Sequence, residues 1–265
     1  MIRPQKPWLL LAAAALFALL YAPIVVVVAQ SFNGSGHGVS GTSLTLRWYG
    51  TLMQNEVAMR AVTNSLMLGA SSTLLSTLLG TLLGLGLAGQ AFPGRRWIES
   101  ILHVPVILPD IVMAISILLL SHWVRKLTGL MELGMPTMIL AHTTFQIPFV
   151  AMVVRARRSG MDPSWEEAAR DLGATRSQLF RHITLPLLWP GILAGALLAF
   201  ALSLDDFVVS FFTSGPGSTT LPILIHSSVR RGLTPEIHAL STLLIGSALL
   251  LTLAGARTRP QNAEK

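Results

Sequence analysis

Cysteine is absent from the 265 residues, and charge is scarce. The first absence excludes disulfides, thiolate metal sites and a cysteine nucleophile. The second says more. Charged residues make up 12% of the chain and hydrophobic residues 52%, whereas a soluble domain carries about 25% charged residues. So few charges could not coat a core of this size, which excludes a soluble enzyme. Lysine occurs at Lys6, Lys126 and Lys265, and none follows glycine in the G-x-x-x-x-G-K-[ST] pattern that cradles nucleotide phosphates. Any ATP chemistry must therefore come from a partner. The seven histidines show no His-x-x-x-His spacing, so a helix-borne zinc site is unsupported, and no cofactor is expected.

What the chain does have is long apolar runs. They cover about 8–30, 61–88, 97–121, 136–154, 187–212 and 235–256, each long enough for a bilayer core of about 30 Å. The fold expectation is all-α, a multi-pass protein of six transmembrane helices in one permease-type domain. The first run has basic residues in front but is too long for a signal peptide and lacks a small-residue cleavage site, so it reads as a retained span. Trp48 and Tyr49 in the following polar loop are expected to act as interface anchors, and 213–234 reads as another polar loop. Thr234-Pro235-Glu236 is a good start for the last helix.

Net charge is +7. In a soluble chain that would suggest nucleic acid; here basic residues flank the inner ends of spans, and no nucleic-acid partner is expected. With the N-terminus inside, cytoplasmic segments hold thirteen basic residues, among them Arg3, Lys6, Arg95, Arg96, Arg155, Arg259 and Lys265. Outer loops hold six, including Arg47, Arg125 and Arg231. This asymmetry favours both termini in the cytoplasm. In the second span Ser72, Ser76, Gly80 and Gly84 recur every fourth position, marking a face for close helix approach; a pore-lining stripe is the alternative.

The most specific signal lies between the fourth and fifth spans, in the cytoplasmic segment 157–186. Asp162-Pro163 opens a helix with Glu166 and Glu167 in its first turns, where the helix dipole favours acids. Gly173 suits the left-handed residue that ends it, and Thr175-x-x-Gln178 has the form of a capping box that opens a second helix, expected to stop before Pro186. Glu167-Ala168-Ala169, three residues, Gly173, nine residues, then Ile183-x-Leu185-Pro186 resembles the "EAA" signature of bacterial ABC importer permeases. That resemblance implies a type I ABC importer permease fold. It also implies a coupling helix that docks on a separate ATPase, with Glu166, Glu167, Ala168, Ala169, Gly173, Ile183, Leu185 and Pro186 as the coupling residues. Residues 203–245, with Tyr21-Ala22-Pro23, Ser31-Phe32-Asn33 and Pro105-x-x-x-Pro109-Asp110, are similar to the polyamine permeases of that family, nearest the putrescine-uptake branch and next the spermidine/putrescine branch. His226 and Arg231 depart from the pattern. The partners implied are a homologous second permease, two ATP-binding subunits and a periplasmic polyamine-binding protein, assembled in the bacterial inner membrane.

Three acids fall inside the expected spans: Asp110, Asp205 and Asp206. Each costs roughly 2.5–3.5 kcal/mol at a helix centre, while an apolar residue returns only about 0.3–0.6. On one continuous helix Ser203, Asp206 and Ser210 would share a polar face. Two readings stay open. The acids form a cation pathway, with His142 and Gln146 along the same route, or they brace helices by pairing with Asn64, His142 or Gln146. An intramembrane enzyme is disfavoured by the absence of Gly-x-Ser-x-Gly and His-Glu-x-x-His motifs.

Overall fold

A computed structural model describes residues 7–34, 43–89 and 92–257, with side chains for 8–34, 43–89 and 92–250. Four members of the charge asymmetry, Arg3, Lys6, Arg259 and Lys265, lie outside the described residues. The described residues are almost wholly helical. Five helices are long and apolar enough to cross a membrane, and a sixth apolar helix is described over Pro235–Leu250. The chain divides into two compact units, 1–59 with 225–265, and 60–224.

In the first unit, α1 (Pro7–Ser31) packs against α12 (Pro235–Arg257). The expected loop between the first two spans contains α2 (Arg47–Gln54). Trp48 and Tyr49 are half-buried. The Trp48 indole donates to the Asn33 carbonyl at 2.8 Å, and the Tyr49 hydroxyl meets Ser31 Oγ at 2.9 Å. Asn55 caps the next helix by accepting from the Ala58 amide at 3.1 Å, and its side-chain amide donates to Glu236 at 2.9 Å. That helix, α3 (Glu56–Ala88), begins five residues before its apolar run and carries the chain into the second unit.

The second unit is built around α6 (Met135–Ser159), whose Ala141, His142, Gln146, Val150 and Val154 are buried. Small residues let its neighbours come close. A Cβ on Gly80 of α3 would lie 2.7 Å from Val150 Cβ, and one on Gly84 would lie 2.7 Å from the Ala151 carbonyl. The Ser72–Gly84 ladder is therefore a packing face, as lipid-embedded helices require. Gly195 of α9 (Leu185–Asp205) also approaches Val150, and Leu188, Ile192 and Ala199 join Val150 and Val154 in one apolar cluster.

Two expected spans are interrupted. The third is divided into α4 (Arg95–Ile107) and α5 (Asp110–Thr128). Pro109 excludes its predecessor from the helical region, and Leu108 is extended at ψ 141°. Asp110 thus stands in the first turn of α5, where the dipole favours an acid, rather than mid-helix. The fifth is broken after Asp205. Asp206 is extended (ψ 121°), and α10 (Val208–Thr213) follows. A third difference lies in 213–234, which contains α11 (Leu221–Arg231) with Leu221, Leu224 and Ser228 buried.

The segment before α9 follows its local signals. Just ahead of α7 (Ser164–Asp171) Asp162 accepts from the Ser164 amide at 2.9 Å. Gly173 has φ +80°, and the bonds Gly173 N–H to Arg170 O and Ala174 N–H to Ala169 O form a Schellman end. The Thr175/Gln178 capping box is complete and opens α8 (Arg176–Leu179). The chain does not stop before Pro186. It passes through a π turn, Phe180–Thr184, directly into α9, with Pro186 in the first turn. A proline clashes with the carbonyl four residues back, and the wider π turn relieves this, with Leu185 N–H reaching Phe180 O.

Candidate functional site

The break after Asp205 follows from the chemistry of Asp206. Its carboxylate accepts from the amides of Val209 at 3.2 Å and Ser210 at 2.7 Å, so a side chain replaces the carbonyls a continuous helix would have offered. His142 of α6 faces the same carboxylate, with Nε2 3.3 Å from Asp206 Oδ2 and 3.0 Å from Ser210 Oγ. Its Nδ1 is 2.9 Å from Ser203 Oγ. Ser203, Asp206 and Ser210 do not share a face of one helix. They converge on one imidazole from both sides of the break.

The hydrogen bonds continue into α3. Ser72 Oγ donates to Ser203 Oγ at 3.3 Å and accepts from Gln146 Nε2 at 3.3 Å, while Ser76 donates to Gln146 Oε1 at 3.0 Å. With Ser203 accepting from Ser72, its own hydroxyl proton is free for His142 Nδ1. The Nε2–H tautomer then donates toward Asp206 and Ser210. His142, Gln146, Ser72, Ser76 and Ser210 are fully buried, and Ser203 nearly so. Such a network, with each member satisfied, fixes the register of its helices. Asn64, considered as a partner for the acids, instead donates to the carbonyls of Gly217 and Thr219, both at 2.9 Å.

The three acids meet at a cavity of about 300 Å³ lined by Asp110, Asp205 and Asp206. Asp205 and Asp110 are exposed and Asp206 is half-buried. Phe145, Phe149 and Phe207 form much of its apolar wall. Carboxylates neutralise a cation that leaves water, and ring faces attract it, so the cavity can accept an organic cation. The aromatic wall was not foreseen. Phe145 and Phe149, one turn apart and one turn beyond His142 and Gln146 on α6, were its available sequence signal.

In the 157–186 segment Glu166 and Glu167 part company. Glu166 is buried: Arg158 donates to both its oxygens, at 2.7 and 2.9 Å, the Thr184 hydroxyl donates at 2.9 Å, and Arg170 lies at 3.4 Å. The Arg158 hydrogen bonds, with that from Thr184 and the charges of Arg158 and Arg170, hold Glu166 below the ordinary carboxylate value against the opposing effect of burial. Glu167 and Ala168 are exposed and Ala169 is buried. Trp165, Ala168 and Leu172 give α7 an exposed apolar face, with Trp165 62% and Leu172 90% accessible. Ile183 and Leu185 are half-buried and Pro186 is exposed.

Residues 76–259 match the family described as binding-protein-dependent transport system inner membrane component. The chain is 41% identical over 245 residues to the putrescine transport system permease protein PotI of Escherichia coli K12, covering 92% of this chain and 87% of that one. It is 40% identical over 240 residues to the spermidine/putrescine transport system permease protein PotC of the same strain, covering 91% and 89%. Its fold is similar to that of a chain from a bacterial ABC transporter involved in import of the polysaccharide alginate, with TM-score 0.71, 20% identity and 97% and 96% coverage. Matched over most of its length by sequence and by fold, the chain belongs to the inner-membrane permease components of binding-protein-dependent ABC importers.

Proposed function

We propose that this permease conducts polyamines, putrescine or spermidine, into the cell, and that Asp110, Asp205 and Asp206 are the carboxylates that receive the protonated amine. The observation that carries the reading is the cavity in which these acids meet three phenylalanines. A diamine needs anionic partners to leave water and apolar walls for its methylenes, and one or two carboxylates hold it weakly enough to let it go. The names of the relatives, putrescine and spermidine/putrescine permeases, support the same substrate class. His142, Gln146, Ser203 and Ser210 support the cavity from behind rather than meeting the solute.

Transport is driven by ATP hydrolysed elsewhere. The chain pairs with a homologous permease and two ATP-binding subunits, and a periplasmic polyamine-binding protein delivers the solute. The exposed Trp165-Ala168-Leu172 face of α7 suits docking into an ATPase cleft, with Glu166 positioning α7 and Glu167 at its accessible surface. Ile183, Leu185 and Pro186 join that docking segment to α9. Both termini are cytoplasmic.

Uptake of labelled putrescine, spermidine and an uncharged diol by the reconstituted complex tests the substrate. ATP-dependent uptake of an amine but not of the diol is expected, and equal uptake of the diol overturns the reading. Orientation is tested with single cysteines. Ser43→Cys and Leu130→Cys, both exposed, should react with an impermeant reagent in spheroplasts, and Ser177→Cys should not. Labelling of Ser177→Cys from outside reverses the orientation.

A further inference from the structure

A second cavity, of about 500 Å³, opens where α3 ends, α4 begins and α6 reaches its last turns. Three guanidinium groups line it, those of Arg95, Arg96 and Arg155, with the single carboxylate of Glu99. Glu99 Oε1 holds Arg95 Nε at 2.9 Å and Arg155 Nη2 at 2.9 Å. One carboxylate therefore fixes two arginines in place while leaving the pocket with two positive charges in excess. Arg96 is exposed and has no side-chain partner among the described residues. Each guanidinium carries five N–H donors; Arg95 Nη1 also donates to the Gly89 carbonyl at 3.3 Å, and most of the other donors meet no acceptor among the described residues. A tetrahedral oxyanion, a phosphate ester above all, matches such forks in charge and in geometry.

The surroundings choose between a lipid and a soluble phosphate. The pocket lies at the ends of apolar helices, the depth at which a bilayer presents its headgroups. Trp97 borders it and is 76% accessible, as an interfacial indole would be. From Trp97 the exposed apolar residues Ile101 and Val104 follow along α4 at i+4 and i+7, on one face. A cationic pocket that continues into an apolar track has the layout of a phospholipid, headgroup first and acyl chains alongside. We infer that the pocket of Arg95, Arg96 and Arg155 binds the phosphate of an anionic phospholipid, with the Trp97–Val104 face of α4 against its chains. The site is independent of the transported solute and needs no residue of the acid-lined cavity.

The test is lipid binding by the delipidated full-length protein, with phosphatidylglycerol and phosphatidylcholine titrated separately and retained lipid counted by native mass spectrometry. Tight retention of phosphatidylglycerol and weak retention of phosphatidylcholine are expected. Arg96→Gln, which breaks no ion pair, should weaken phosphatidylglycerol binding about tenfold, the effect of one charge-assisted contact, with thermal stability in phosphatidylcholine unchanged. Arg155→Gln should weaken it at least as much. Trp97→Ala should lower affinity for both lipids while the preference for phosphatidylglycerol persists. Soluble glycerol phosphate should not displace the lipid at matched concentration. Equal retention of the two lipids, or unchanged binding by Arg96→Gln, overturns the proposal. Displacement by glycerol phosphate overturns the lipid as occupant and leaves a soluble-anion site.

Discussion

His142 and Asp206, sixty-four positions apart, meet with Nε2 3.3 Å from Oδ2 at the point where the helix carrying Asp206 breaks. The contact joins two tasks in one carboxylate. One oxygen pair caps α10 through the Val209 and Ser210 amides, and the same group borders the acid-lined cavity. Asp206→Asn retains one acceptor and loses the charge. It should cost about 1–2 kcal/mol in stability, as loss of a good cap does, and should also depress amine uptake about tenfold or more. Thermal unfolding and uptake per assembled complex, measured on the same preparation, separate the two effects. Normal uptake per complex makes Asp206 a brace alone.

Asp205 gives the cleaner test of the cation route. It lines the cavity and is exposed. Asp205→Asn should leave the unfolding free energy within about 0.5 kcal/mol of the wild type, the usual range for a surface change, yet reduce uptake of putrescine. Retained uptake with both Asp205→Asn and Asp110→Asn would move the solute path away from this cavity.

How much of this was legible in the sequence depends on the range of the interactions. The ends of α7 were readable because Asp162, Gly173 and the Thr175/Gln178 box act within a few residues of themselves. The spans were readable because length and apolarity are properties of a run. The two breaks were hidden by that same averaging. Pro109 and Asp206 each sit in apolar surroundings, although an acid three residues before Val209 is an ordinary helix-start signal. Pairing of an acid with His142 was one of the two readings the residues offered, and Asp206 makes that contact, but the rest of the polar network was out of reach. Ser72, Gln146 and Ser203 become partners only once Gly80 and Gly195 have brought α3 and α9 onto α6. Periodicity gives each helix a face but not the neighbour that face meets.

Glu166 predicts a pH dependence. Its ordinary value is 4.5, and the Arg158 bonds lower it in the folded protein. A depressed carboxylate binds its proton more readily when unfolded, so the stability it contributes is fully present above about pH 4.5 and is lost as pH falls through the folded value below that. Glu166→Gln should be less stable than the wild type at neutral pH, with the difference shrinking as the solution is acidified below 4.5. Unfolding midpoints of the two proteins across acid pH check this, and a difference independent of pH would contradict the role of the charge.

Gly173 tests the turn that follows α7. Its φ of +80° is unfavourable for a residue with a Cβ, although a Cβ there would meet nothing within 4 Å. The cost is therefore backbone strain alone, about 1 kcal/mol or more for most residues and less for asparagine. Gly173→Val should uncouple ATP hydrolysis from uptake while the protein still reaches the membrane, and Gly173→Asn should retain most coupling. Equal behaviour of the two variants would show that the left-handed turn is not required.

Val150 offers a test of the helix packing, because α3 approaches it more tightly than α9 does and also meets the backbone of α6. A Cβ on Gly195 would meet Val150 Cγ1 at 3.3 Å, with the next atoms at 3.5 and 3.7 Å. A Cβ on Gly80 would meet Val150 Cγ1 at 2.9 Å, but also Val150 Cβ itself at 2.7 Å and the Ile147 carbonyl at 3.0 Å. Val150→Ala removes Cγ1 and leaves Cβ and the carbonyl in place. It should therefore relieve Gly195→Ala, with a favourable coupling on the order of 1 kcal/mol in a double-mutant cycle, and relieve Gly80→Ala much less. Gly80→Ala alone should be the more damaging single change, since the backbone of α6 cannot yield as a methyl group can. Both cycles can be measured by reversible unfolding in mixed micelles. Equal relief of the two glycine variants would mean that α3 and α6 separate freely, and that the serine–glycine ladder does not set their distance.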